Sequence, residues 1–187
     1  MNGENLISLL TKDVEVPVTV KKKIPKIPIG MLIDLNSIKE GVTLNLPLRI
    51  AESLVEKGYA EIDMKRLFSL SEINKIRWKE EKTTDLQPLE EGFYVKVKCI
   101  LKRVNEDITK SEETDVKLLK LSRTIKSIVV DIIKRRIYKI VNLALANPYP
   151  SRNLMKLMTK EERYFYVKTC DVLREWEETM IKHATGE

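Results

Sequence analysis

The residues able to do acid–base, nucleophilic or metal chemistry are few in this chain and lie far apart. There is one histidine, His183, and there are two cysteines, Cys99 and Cys170. A structural zinc site needs about four clustered ligands, which this set does not supply. His183 falls at the fraying end of a helical pattern, where an imidazole suits the helix C-terminus better than it suits general-base work. Cys170 has no histidine near it in the chain to activate it as a nucleophile. Neither a G-x-x-x-x-G-K-[ST] cradle nor a G-x-G-x-x-G turn occurs. The many carboxylates sit on helix faces beside Lys and Arg, where ion pairing is the default. No catalytic residue, cofactor site or metal site is assigned, and no enzyme is expected.

Two other sets of residues ask for a partner. The first is basic: Lys21, Lys22, Lys23 and Lys26 in KKKIPKIP, and Arg135-Arg136 further on. Such cations can contact phosphates, and those contacts weaken steeply with salt. No aromatic is interleaved for base stacking. A solvated lysine edge that discourages strand pairing accounts for the first cluster equally well.

The second set is aromatic. In Tyr164-Phe165-Tyr166, successive helical side chains are about 100° apart, so all three cannot face one core. With Phe165 inward, at least one tyrosine faces solvent or another protein, and tyrosine suits interfaces. Phe93-Tyr94 poses the same question. Trp78, Tyr94, Tyr164 and Tyr166 are expected as exposed interface aromatics, with Ile133 and Ile140 shared between core and interface.

The elements that hold these residues fall into two expected domains, 1–66 and 67–187. In the first, Glu15 to Val20 alternates around Pro17 and reads as an edge strand. Lys21 to Pro28 reads as an extended connection, Ile29 to Leu35 as a buried strand, and Val42 to Leu46 as another. Pro47 opens a short helix carrying Ile50, Leu54 and Val55; Gly58 stops it, and a strand follows over Tyr59 to Ile62.

The second domain reads as four helices in a bundle-like arrangement. Ser69 and Glu72 spell a capping box, with Phe68 and Ile73 as a hydrophobic staple, for a helix to about Glu81. Pro88 starts the next, to about residue 108. Ser111, with Glu112 and Glu113, caps a long helix over 112 to 146, whose apolar stripe runs from Leu118 to Leu145. That helix spans roughly 50 Å, more than a small domain needs, so it projects or packs on another chain. Asn147-Pro-Tyr-Pro ends it. Thr159 and Glu162 form a second capping box, opening a last helix with Phe165, Thr169, Val172 or Leu173, Trp176 and Met180 on one face. The fold class is therefore mainly α, with a small α/β N-terminal domain.

The composition agrees. In 187 residues, 43% are hydrophobic and 33% charged, with a net charge of +6. That balance supports a real core and permits, without demanding, contact with nucleic acid. No run of about 18 apolar residues suggests a membrane span. The N-terminal MNGENLISLLTKD has no basic region or cleavage site, so no secretion leader is expected. Isolated cysteines suit a reducing, cytoplasmic setting.

Three segments resemble a known family. Leu44 to Ile62, LNLPLRIAESLVEKGYAEI, resembles the L-P-L-W-L-A … L … G-Y segment of GINS complex subunits, with Arg49 where that family often has an aromatic. Gly92 to Lys98 and Leu157 to Tyr166 look like segments of the same proteins' helical domain. The order resembles the class whose small β-rich domain precedes the helical one, in an archaeal form. The resemblance implies a non-catalytic replication subunit without cofactors. It would join a second GINS class of reversed domain order in a 2:2 heterotetramer, and act with the MCM helicase and a RecJ-like protein at nucleoid-associated forks. A loose contact with DNA is compatible, and no membrane is involved. The alternative is a basic nucleic-acid-binding module acting on its own.

Overall fold

The structure is a computed structural model that describes residues 3–24, 38–110 and 115–186. The elements in order are α1 (Gly3–Thr11), β1 (Glu15–Val20), β2 (Thr43–Pro47), α2 (Leu48–Glu56) and β3 (Ala60–Ile62). A single 3-10 turn, Met64–Arg66, leads to α3 (Leu70–Lys82), α4 (Phe93–Lys110), α5 (Val116–Ala146), α6 (Arg152–Met155) and α7 (Lys160–Thr185). The chain divides into two compact units. One is Met1–Ser69 with Tyr94–Arg103, and the other is Leu70–Phe93 with Val104–Glu187. It is mainly α with a small α/β part near the N-terminus, the class expected.

In the first unit a three-stranded antiparallel sheet has the order β2-β1-β3. Val16, Val18 and Val20 alternate along β1 and are fully buried, as are Leu46 on β2 and Ala51 on α2. β1 is therefore the central strand, not the edge that Pro17 suggested. The pairing explains why the proline is tolerated. Val20 N–H donates to Val42 O, so the even residues of β1 bond β2 and the odd ones turn to β3. Pro17 O accepts from Asp63 N–H at 2.9 Å, one residue past the end of β3. The absent proline N–H thus falls where that ladder stops.

The end of α2 satisfies its own carbonyls. Gly58, at φ 71°, donates to Val55 O, and Tyr59 donates to Leu54 O, the paired bonds of a Schellman motif. The α1 helix was not foreseen. The strand expected over Ile29 to Leu35 lies outside the described residues.

Two boundaries in the helical unit differ from expectation. Pro88 does not open α4, which starts at Phe93 after Gly92 at φ 82°. The backbone before it is engaged elsewhere: Leu89 N–H donates to Leu157 O, while Asp85 O and Gln87 O accept from buried side chains. Asp115, not Ser111, caps α5, accepting from Lys117 N–H and Leu118 N–H at 2.9 and 3.2 Å. Residues 111–114 lie outside the described residues. The capping box at Thr159 forms as expected: Glu162 N–H donates to Thr159 Oγ1, and Thr159 N–H donates to Glu162 Oε2.

Gly58→Ala tests the turn that joins α2 to β3. No atom lies within 4 Å of an added Cβ, so the cost is backbone strain alone. About 1–2 kcal/mol should be lost, read as a lower urea midpoint, whereas the same change at an αR position would stabilise by about 0.4–1 kcal/mol.

Candidate interaction surface

The helical unit is organised around a buried cation. Arg136 on α5 and Glu80 on α3 each leave only 1% of the side chain exposed. Arg136 Nε and Nη2 donate to the two carboxylate oxygens of Glu162 on α7 at 2.7 and 2.8 Å. Nη1 donates to Glu80 Oε1 and to Gln87 O, and Nη2 also donates to Leu157 O at 3.0 Å. All five guanidinium N–H groups therefore have acceptors. Lys139, one turn along, donates to Glu80 Oε2, Glu80 O and Asp85 O. Two cations face two carboxylates, so the cluster carries no net charge.

Glu162 does two jobs in this cluster. It caps α7 at Thr159 and holds Arg136 at the same time. That fixes the rotation of α7, so the residues one and two turns on, Tyr166 and Cys170, face inward and are fully buried. They pack with Leu86, Ile140, Ala144 and Met158. Burial pushes the Tyr166 phenol and the Cys170 thiol up, and burial likewise raises Cys99. Both cysteines are thus held as thiols at neutral pH.

Several expected site residues fall elsewhere. Arg136 is sealed in the ion cluster and has no surface to offer a phosphate. Tyr166 is inside, and it is Phe165 that lies out at 37% exposure, the reverse of the expected orientation. Ile140 is 1% exposed, a core residue. The expected α7 stripe is not a core face either: Val172, Trp176 and Met180 are exposed. Ile137 and Leu145 also leave the α5 core stripe for solvent.

Others lie at or near the surface. Trp78 is 57% exposed, Tyr164 is exposed with Lys168 Nζ 6.0 Å from its ring centre, and Tyr94 and Ile133 are half-buried. Arg135 pairs with Glu81 at 3.5 Å. Lys21 pairs with Glu61 at 2.9 Å, with Arg103 on the same carboxylate; the hydrogen bond from Lys21 leads in holding Glu61 below the usual carboxylate range. Lys22 and Lys23 are exposed, and Lys26 lies outside the described residues.

Sequence reading missed the roles of Glu80, Lys139 and the carboxylate of Glu162. One signal was available. Arg136 stands midway between Ile132 and Ile140 at helical spacing, a cation in a core position.

Among the described residues no group of three His, Cys, Asp or Glu could hold a metal, and no helix is long and apolar enough to cross a membrane. Exposed aromatics on long helices, around an apolar and ion-paired core, define a helical protein that presents faces to other chains. The chain belongs to the family of GINS complex protein helical bundle domains: the Sld5 family model matches residues 67–181. Membership makes it a component of the GINS DNA-replication complex, which it forms with other GINS subunits. No curated protein sequence matches the chain.

The two arginines side by side on α5 give a direct contrast. Arg136→Met leaves Glu162 without its buried cation and Glu80 with Lys139 alone, and should cost about 3–5 kcal/mol. Arg135→Met removes only a half-exposed pair and should cost under about 1 kcal/mol. Urea unfolding followed by circular dichroism measures both; equal losses would refute the assignment of the cluster as the centre of the bundle.

Proposed function

We propose that this chain is the archaeal GINS subunit class in which a small β-rich domain, 1–66, precedes the helical domain, 67–187. It has no catalytic role. It pairs with the second class of reversed domain order in a 2:2 heterotetramer, and that assembly supports the MCM helicase, with a RecJ-like protein, at the fork. The observation that carries this reading is the order of parts. The three-stranded sheet with α2 comes first, and the family-matched helical stretch begins only at residue 67.

The interface residues that fit this reading are Trp78, Tyr94, Tyr164 and Ile133, all at or near the surface of their helices. A tryptophan that is 57% exposed gains little from the fold and much from a partner that covers it. The separate nucleic-acid reading is weaker, because Arg136 is buried and Lys21 is engaged by Glu61.

Light scattering after gel filtration, on this chain co-expressed with the reversed-order class, tests the assembly. The expected mass is twice that of one heterodimer; a monomer that ignores the partner would overturn the proposal. Trp78→Ala should leave the helix content of the free chain unchanged and weaken the complex at least tenfold, about 1.4 kcal/mol.

A further inference from the structure

In the small unit, β2 is an edge strand among the described residues. Its register with β1 sets Val18 against Leu44 and Val16 against Leu46, and the even residues of β1 are the ones that bond β2. Leu44 and Leu46 therefore turn their N–H and C=O groups inward, and Thr43 and Asn45 turn theirs outward. These four outward groups have no partner among the described residues. The open stretch has fixed ends. Gly41, at φ 82°, turns the chain and gives its N–H to Val20 O. Pro47 has no N–H to offer and leads into α2. Between them run five residues, Val42 to Leu46.

Sheet edges are normally blunted by charge, by proline, by a bulge or by being very short. The opposite edge follows that rule: β3 is three residues long and carries the Lys21–Glu61–Arg103 ion group. On β2 no residue from Gly41 to Leu48 is charged. Its two faces differ. Val42 is 44% exposed and Leu44 half-buried on one. On the other, Thr43 Oγ1 lies 2.8 Å from Thr19 Oγ1, and Asn45 is exposed with its amide unengaged among the described residues.

We propose that the outer side of β2 receives an extended segment of another protein as a further antiparallel strand. Only an extended backbone offers acceptors and donors at the two-residue repeat of Thr43 and Asn45. The segment alternates in kind. Apolar side chains lie opposite Val42, Leu44 and Leu46, and small polar ones opposite Thr43 and Asn45, where the backbones exchange four hydrogen bonds. Area decides against a second copy of this chain. A five-residue strand covers far less than the about 800 Å² per partner that holds two folded proteins together. A short linear segment that docks and leaves matches a contact of that size. The contact uses the small unit alone, so it holds or fails apart from pairing with the second GINS class.

The probe is a fluorescent peptide whose five-residue core alternates valine and threonine, valine first, between lysines added for solubility. Anisotropy titration with the full-length chain should show saturable binding. Methylating the amide nitrogen of either threonine removes an N–H aimed at β2, and should weaken binding by about tenfold or more. Methylating the middle valine, whose N–H points away, should leave it unchanged. Asn45→Pro removes an outward N–H and keeps every bond to β1, so it should weaken binding as much while the circular dichroism stays that of the wild type. The methylated peptides decide the matter if that variant does not fold. Amide exchange followed by NMR should be fast at Thr43 and Asn45 and slow at Leu44 and Leu46 in the free chain, and the peptide should slow the first two. A peptide that does not bind, or binding indifferent to threonine methylation, would overturn the proposal. So would Thr43 and Asn45 amides already protected in the free chain. Protection that persists on dilution assigns the edge to residues 25–37 of the same chain, and protection lost on dilution assigns it to a second copy.

Discussion

A guanidinium taken out of water must find acceptors for five N–H groups, and the helical unit is built around meeting that demand for Arg136. Two acceptors come from Glu162 on α7, one from Glu80 on α3, and two from the carbonyls of Gln87 and Leu157. A single side chain thereby fixes three helices and two connections. Desolvating four charged groups is expensive, and such a cluster does not by itself make a protein more stable than an apolar core would. What it does is discriminate. Any arrangement that slides or rotates one helix strands a buried charge, whereas an apolar seam tolerates small slips.

The consequences spread outward from Glu162. Because its carboxylate serves both Arg136 and the Thr159 N–H, the start of α7 is fixed in level and in rotation together. Rotation places Tyr166 and Cys170 inward and leaves Phe165 outside. Level sets the step between α5 and α7, and with it the length of α7 that runs past the end of its neighbour. The exposure of Trp176 is thus a remote effect of an ion pair about four turns away. The same cluster holds the chain before α4 extended: Gln87 O and Asp85 O are drawn to Arg136 and Lys139, so the backbone after Pro88 does not coil until Gly92 reverses it.

Local chemistry was readable wherever a few neighbouring residues decide the outcome. The Thr159–Glu162 box, the Gly58 stop, the proline-rich end of α5 and the helical character of 67–187 are of this kind. Positions decided by distant partners were not readable. Pro17 looked like an edge residue because the fault it introduces lies one place beyond a three-residue strand, and β3's length is a tertiary fact. The apolar residues of α7 form a good helical stripe, yet the face turned inward is the adjoining one, through Glu162, Tyr166 and Cys170. Arginine is usually a surface residue, so Arg136 reads as one in sequence; only its place between Ile132 and Ile140 points the other way.

The basic character of the chain also changes meaning once its cations are sorted by environment. The α5 helix carries eight Lys and Arg against one Asp, of which Arg135-Arg136 stand out in sequence as a cluster able to contact phosphates. Arg136 and Lys139 are consumed inside the bundle, and Arg135 is held by Glu81. Lys117, Lys120, Arg123, Lys126 and Lys134 remain, all exposed, and three of them, Lys120, Arg123 and Lys134, share a stripe with Val116 and Val130. A polyanion would gain nothing from those valines, and would leave them as wet as it found them. Mixed surfaces of this sort are costly to leave open and selective about what closes them, because apolar contact rewards any cover while the ordered charges reject the wrong register.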